Sequence, residues 1–314
     1  MKKKNYTPLH CHSDYSILDS VMKVEDYTAR LEQLEMSAGA LTEHGNLCSS
    51  YKFYKDAKQK GIQAIIGCEM YVTPYQSIDA IKDEIAKQKK DKELAIDNGI
   101  SMRRIKYYGH LVVHALSDVG YQNLLYITNE AFQNRHYRKP LSTEEIILEH
   151  SEGLHIETAC IGSLFGQDAM AGNKKALHNR IGKFKEVMGD RFSLEIQFNE
   201  IDKQHKVNQM LVTAAKEFNV PLVYAPDAHY AFPEGAELRD LTMAIGYKYF
   251  HDSEFYKSEV RRLHVKSYDE ILQEWKMWGY DKEVPYQSLL ESLERTNEVA
   301  SWVDFTLEHD GYKF

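Results

Sequence analysis

Residues 38–72, AGALTEHGNLCSSYKFYKDAKQKGIQAIIGCEMYV, decide the fold. AGALTEH (38–44) and IQAIIGCEMYV (62–72) are apolar runs of strand length. Between them SSYKFYKDAKQK (49–60) repeats its apolar residues at helical period, so the stretch reads as strand, helix, strand. The same alternation extends in both directions. Upstream stand strand-like YTPLHCH (6–12) and helix-like VEDYTARLEQLEM (24–36). Downstream come GHLVVHAL (109–116), the helical YQNLLYITNEAF (121–132), LHIETACIG (154–162), FSLEIQF (192–198), the helical HKVNQMLVTAAKEF (205–218) and PLVYAPDAHY (221–230). Roughly seven strands alternating with helices predict an α/β fold, a parallel (β/α) barrel whose strands end on one rim.

Two segments break the rhythm. Residues 75–107 contain KDEIAKQKKDKE, which has no sustained apolar face and reads as a solvated helical insertion. Arg103, Arg104 and Lys106 beside Tyr107 and Tyr108 are its one feature suited to a nucleic-acid backbone. After residue 235 the strand signal fades into helical patterns (ELRDLTMAIGY, SYDEILQEWKMW, PYQSLLESLERTNEVASWV). The expected organisation is a barrel domain over 1–235 and a helical extension over 236–314.

Composition narrows the classes. The 314 residues are 43% hydrophobic, enough for a large core, and no run of eighteen apolar residues or signal-peptide pattern occurs. A soluble, cytoplasmic protein with no membrane partner is expected. The four cysteines form no C-x-x-C pair and read as reduced thiols. A formal charge of −8 argues against gripping duplex DNA as this chain's own main task.

The chemistry is carried by histidines and carboxylates at strand ends. His10 and His12 are two apart in an extended run, so both side chains leave one face. Asp19 follows in the next loop, His44 ends AGALTEH, Glu69 stands near the end of its strand, and Cys160 ends LHIETAC. Asp227 and His229 repeat the two-residue spacing after the last strand. His110 is the exception, because it opens its strand. Imidazoles, carboxylates and one thiolate suit Zn²⁺, Mn²⁺ or Fe²⁺ better than Ca²⁺ or Mg²⁺. Nine candidates exceed the needs of one ion, so two or three divalent ions are expected, with Glu69 as bridge. Such sites activate water at neutral pH and clamp the attacking and leaving oxygens of a phosphoryl group.

HCHSDYSILDS, LTEHGN, IIGCEMYV, GHLVVHALSDVGYQNLLYITNEAF, ACIGSLFG, SLEIQF and YAPDAHY, in this order, resemble the PHP (polymerase and histidinol phosphatase) domain at the N-terminus of the bacterial DNA polymerase III alpha subunit, the family C DNA polymerases. The tail ending NEVASWVDFTLEHDGYKF is similar to the stretch that leads from that domain toward the polymerase palm. The resemblance implies a distorted (β/α)7 TIM-like barrel with a trinuclear centre. It implies one ion on His10, His12, Glu69 and Asp227, a second on Glu69, His110 and Cys160, and a third on Asp19, His44 and His229. It further implies a metal-dependent phosphoesterase, a 3'-to-5' exonuclease acting on single-stranded or primer-end DNA in DNA replication, with a polymerase core in cis or in trans. Glu69, Asp227 and His12 would carry the hydrolysis. In some members the site is degraded to a scaffold, whereas here every ligand position is filled. The family's usual Thr-Asp-His reads Thr42-Glu43-His44 in this chain, which puts a longer acidic arm beside a ligand histidine.

Other residues take plainer readings. His114 is expected to be a buried, satisfied histidine, and His136, His150, His155, His178, His205, His251, His264 and His309 surface ones. Cys11, Cys48 and Cys68 read as small core residues. Arg135, Arg138 and Lys139 read equally as a solvated loop or as phosphate contacts, and the aromatic residues of 268–302 as helix packing. Nucleotidyl transfer is not expected, since no Asp-x-Asp occurs. The rival functions are a stand-alone phosphomonoesterase of the histidinol phosphatase type and a non-catalytic module of a polymerase.

Overall fold

The computed structural model describes residues 5–97, 107–135, 139–248 and 260–308. Arg103, Arg104, Lys106, His136, Arg138, His251 and His309 lie outside them. Seven strands form one curled sheet: β1 (Ala38–His44), β2 (Gln63–Thr73), β3 (Gly109–Ala115), β4 (Leu141–Thr143), β5 (Leu154–Glu157), β6 (Phe192–Ile196) and β7 (Leu222–Tyr224). The helices are α1 (Val24–Gln33), α2 (Ser50–Gln59), α3 (Ile78–Asp97), α4 (Asp118–Gln133), α5 (Glu144–Glu149), α6 (Leu164–Ala171), α7 (Lys174–Met188), α8 (Asp202–Phe218), α9 (Gly235–Tyr247), α10 (Tyr268–Met277) and α11 (Tyr286–Ser301). The strand order is β1-β2-β3-β5-β6-β7, with the short β4 pairing beside the end of β2.

Residues 8–12 close this sheet into a barrel although they make too few consecutive ladder bonds to count as a strand. On one side the His12 N–H donates to Ala228 O at 2.8 Å and the Ala228 N–H to His10 O at 3.2 Å. On the other the Ala40 N–H donates to Pro8 O and the Thr42 N–H to Cys11 O, both at 2.8 Å. Pro8 has no N–H to give, which limits regular pairing where the segment enters. The architecture is the distorted TIM-like barrel expected, with helices around it.

The expectation of an all-parallel sheet fails at β3, which runs antiparallel to both β2 and β5, whereas β1–β2, β5–β6 and β6–β7 pair in parallel. The charged insertion explains the reversal. A parallel neighbour requires a crossover that carries the chain back to the start of the sheet. The excursion that includes α3 leaves from the end of β2 and returns to the same rim, so β3 starts where its neighbours finish.

Burial follows the pattern of a sheet covered on both faces: β2 from Ile65 to Thr73 is buried at every residue. The helices after residue 235 add to that cover. Val265, Ile271, Leu289 and Leu293 share one apolar core with Tyr6, Cys11 and Tyr224. The Thr7 N–H donates to Thr296 Oγ1 at 2.8 Å and the Tyr6 hydroxyl to Lys266 O at 2.9 Å. Trp275 donates its indole N–H to Val284 O at 2.9 Å and Tyr280 is buried, so these two pack as expected, whereas Tyr286 is exposed. Among the described residues no helix is long and apolar enough to cross a membrane.

Candidate metal centre

All nine ligand candidates stand at one end of the barrel. His10 and His12 leave the inner face of the closing segment, and His44 and Glu69 are register partners on β1 and β2. His110 is the second residue of β3, and the reversal of that strand is what brings it to the rim. Cys160 lies three residues past β5, Asp227 and His229 lie past β7, and Asp19 is in the loop before α1. Backbone strain marks the same places: Asp227 itself, Ala159 before Cys160 and Leu18 before Asp19 hold φ of 47°, 58° and 67°. Such conformations cost on the order of 1–3 kcal/mol each and persist where surrounding structure over-determines them.

Glu69 is the hub. Its Oε2 lies 3.2 Å from His12 Nε2 and 3.5 Å from His10 Nε2, and Asp227 Oδ1 lies 3.4 Å from each of those nitrogens. Its Oε1 lies 2.8 Å from His110 Nδ1 and 4.0 Å from Cys160 Sγ. Across the mouth Asp19 Oδ2 stands 2.8 Å from His44 Nε2 and 3.5 Å from His229 Nε2. The grouping is not fully partitioned, because His44 Nδ1 also approaches Glu69 Oε2 to 2.7 Å.

The fit to cations rests on acceptors without donors. Glu69 Oε2 and Asp227 Oδ1 are buried and make no hydrogen bond of good geometry, their nearest neighbours being the imidazole nitrogens of His10, His12 and His44. Leaving such atoms unsatisfied costs about 1–3 kcal/mol each, more when charged. A cation between them removes that cost. The electrostatics point the same way. Burial alone would push the Glu69 carboxyl up, but the imidazoles of His110, His44 and His10 hold it well below its usual range. Burial likewise opposes the charge on Asp19, and His229 and His44 hold that carboxyl low. Burial depresses His44, yet Glu69 and Asp19 raise it to about 10. Without metal the carboxylates therefore draw protons onto His10 and His44; a divalent ion supplies the same positive charge.

Four further residues hold the ligands, and the sequence reading missed three of them. Glu195, buried in β6, lies 2.9 Å from His10 Nδ1 through Oε1, which also accepts from Gln197 Nε2 at 2.7 Å. This orients the His10 ring so that Nε2 faces Glu69 and Asp227 at the rim. Its signal was a carboxylate inside the apolar run FSLEIQF, a position that demands a partner. Arg239 donates through Nε to Asp19 O at 2.9 Å and through its terminal nitrogen to Asp19 Oδ1 at 2.7 Å, aiming the second carboxylate oxygen at the mouth. Ser16 donates to Glu43 Oε2 at 2.6 Å and stands 3.2 Å from His12 Nδ1. Glu43 therefore acts on His12 through that hydroxyl. It also accepts from Ser13 Oγ at 2.5 Å and Ser49 Oγ at 2.8 Å, so the longer arm is fully engaged.

The mouth is a cleft of about 430 Å³ lined by Tyr15, Ile17, Leu18, Asp19, His44, Tyr71, Phe132, Lys139 and Met243, among others. Lys139 donates to the Tyr71 hydroxyl at 2.8 Å with its ammonium 4.2 Å from that ring. Burial lowers its pKa while Asp19 and Glu69 pull the other way. Arg135 is exposed on the surface. Three plainer readings are corrected: His155 and His264 are buried rather than on the surface, and Cys48 is exposed rather than in the core. His155 is the cross-strand partner of His114, and His264 is held against Glu270, pairings with no local signal. Cys11 and Cys68 are buried as expected.

Comparison with known proteins adds an independent line. The family model described as PHP domain matches residues 8–199. The chain is 33% identical over 303 residues to DNA polymerase III subunit alpha of Borreliella burgdorferi, covering 96% of this chain and 24% of that protein. It is 33% identical over 245 residues to the subunit of that name from Aquifex aeolicus, covering 78% of this chain and 20% of that protein. The chain thus spans about a quarter or less of the length of the curated relatives it matches. Among solved structures, an amidohydrolase from Chromobacterium violaceum aligns at a TM-score of 0.40 and 13% identity, covering 72% of this chain and 88% of that one.

Proposed function

The chain belongs to the PHP domain family, and from that premise we propose that the rim site is a metal-dependent phosphoesterase working as a 3'-to-5' exonuclease on single-stranded or primer-end DNA. The observation that carries the reading is the position of Glu69. Its two carboxylate oxygens face two different sets of nitrogen, oxygen and sulfur donors. A bridging carboxylate is what a multinuclear centre requires.

The ligand assignment is part of the proposal: His10, His12, Glu69 and Asp227 for one ion, Glu69, His110 and Cys160 for a second, and Asp19, His44 and His229 for a third. Bound there, Zn²⁺, Mn²⁺ or Fe²⁺ would activate water and neutralise charge on a phosphoryl group in flight. The chain's own residues do the remaining work. Glu195 and the Ser16–Glu43 pair hold His10 and His12 in one orientation, and Arg239 holds Asp19. The Asp19 side chain is 30% exposed, which leaves the site open to substrate on that side. Lys139 places a cation in the cleft, where it would meet a phosphate oxygen.

DNA as substrate, action in replication and a polymerase core in cis or in trans draw support from the relatives, which are named DNA polymerase III subunit alpha. In this reading residues 1–235 form the hydrolytic barrel and 236–314 the helical extension toward that core. The test is hydrolysis of a labelled single strand with a mismatched 3' end, run beside histidinol phosphate, by metal-loaded protein and by Asp227→Asn. Metal-dependent release of 3' nucleotides that the variant loses is expected. No nuclease activity, or activity that survives in Asp227→Asn, overturns the reading.

A further inference from the structure

Deeper in the barrel a second set of donors converges, separate from the rim residues. His114 and His155 face each other across the β3–β5 ladder, and Glu157 is two residues beyond His155 on the same face. All three are wholly buried. His114 Nδ1 stands 3.4 Å from His155 Nδ1, and Glu157 Oε1 stands 3.6 Å from His155 Nδ1 and 3.9 Å from His114 Nδ1. We propose that these residues bind one further divalent ion of the zinc class in the barrel core.

The distances are those of a ligand set. With metal–ligand bonds of about 2.0–2.1 Å, donors of a tetrahedral site stand about 3.3–3.4 Å apart; the two imidazole nitrogens meet that spacing at 3.4 Å, and the carboxylate oxygen, at 3.6 and 3.9 Å, closes it with a small shift. The tautomers agree. His114 Nε2 lies 2.8 Å from the carbonyl of Leu9, which can only accept, so Nε2 carries the proton and Nδ1 presents a lone pair inward. His155 Nε2 lies 3.0 Å from Ser193 Oγ, and that hydroxyl already accepts from Arg295 Nε at 3.2 Å. The hydroxyl can also accept from His155, which turns the second Nδ1 inward as a lone pair.

Glu157 supplies the independent observation. Both of its oxygens are buried with no hydrogen-bond partner. A carboxylate with two unsatisfied oxygens in a packed interior is a large penalty unless a proton or a cation removes it. Two imidazole nitrogens and a carboxylate with both oxygens available give three or four donors. Gly67 is the register partner of His114 on β2, and a Cβ there would stand 2.9 Å from the imidazole, so the ring packs against bare backbone.

The proposal does not rest on hydrolysis at the rim, and its test separates the two. Residual metal is counted by elemental analysis in the full chain carrying His12→Ala and Asp227→Asn, after dialysis against chelator. One equivalent is expected to survive, because a fully buried ion exchanges only when the barrel opens. Reconstituted with Co²⁺, that protein should show the visible absorption of a tetrahedral centre. Adding Glu157→Gln should abolish both the retained equivalent and the absorption, with folding checked by circular dichroism. Should that variant fail to fold, anomalous scattering from wild-type crystals grown with Zn²⁺ decides: a peak bonded to both His114 and His155 supports the site. No retained metal in the rim variant, or water alone between the two imidazoles, overturns it.

Discussion

His110 Nδ1 sits 2.8 Å from Glu69 Oε1 although one residue stands near the start of its strand and the other lies toward the end of its own. The two meet because β3 runs against β2, with Tyr71 opposite His110 and Glu69 opposite Val112. One reversed strand thus brings to the rim a ligand candidate that a parallel barrel would have left at its far end.

That relationship separates the effects of two substitutions. Glu69→Gln removes a ligand from two ion sets and should lower the bound metal by more than one equivalent, whereas His110→Ala should cost one. Losing the charge stabilisation an ion provides is worth several kcal/mol, so Glu69→Gln should lower kcat on the order of 10³-fold. Equal metal content in the two variants would contradict the bridging role.

Glu195 is not among the ligand candidates yet holds His10 through Nδ1 at 2.9 Å. Removing the carboxylate charge in Glu195→Gln should weaken metal binding by about 10–100-fold, the usual effect of losing such a partner. Competition titration against a fluorescent chelator measures it. An unchanged affinity would reduce Glu195 to packing.

Metal removal should destabilise the fold itself. Ions that bind only the native state at about 100 times their Kd contribute about 2.7 kcal/mol. At about 2.1 cal/mol/K of unfolding entropy per residue, a chain of 314 residues shifts by about 1.5 °C per kcal/mol, so chelation should lower Tm by roughly 4 °C. Calorimetry with and without chelator checks this, and superimposable transitions would count against ligation at the rim.

Glu270 carries an acid-dependent contribution. Its Oε1 lies 3.1 Å from His264 Nε2 and its Oε2 accepts from the Ser267 N–H at 2.7 Å, closing a capping box on α10. The hydrogen bond to His264 leads in holding the carboxyl at about 2, down from 4.5. A depressed carboxyl stabilises the fold above its unfolded pKa, and that contribution drains away as pH falls from 4.5 toward 2. Glu270→Gln should cost about 1–2 kcal/mol near neutrality, a capping-scale loss. Denaturant unfolding should show the gap to wild type narrowing below pH 4.5. A gap that is constant across that range would mean the carboxylate charge is irrelevant.

Periodicity gave the barrel, because a strand buried on both faces and an amphipathic helix write different spacings into the chain. The rim set was legible for a related reason. His10 with His12 and Asp227 with His229 follow from the two-residue repeat of extended backbone, and strand ends are where a barrel gathers side chains. What local spacing cannot carry is the direction of a strand or the partner of an isolated residue. The reversal of β3 depends on where the 75–107 excursion returns, and its charged sequence says nothing of that. His114 and His155 looked unremarkable singly; the ladder that sets them face to face joins residues 41 positions apart. The same holds for Glu195, whose partner His10 is 185 residues away. Sequence alone determined which elements form and which face each presents, since those are short-range properties of the backbone. Only the tertiary structure decided which buried polar groups meet, because burial makes each one costly until a distant partner or a cation satisfies it.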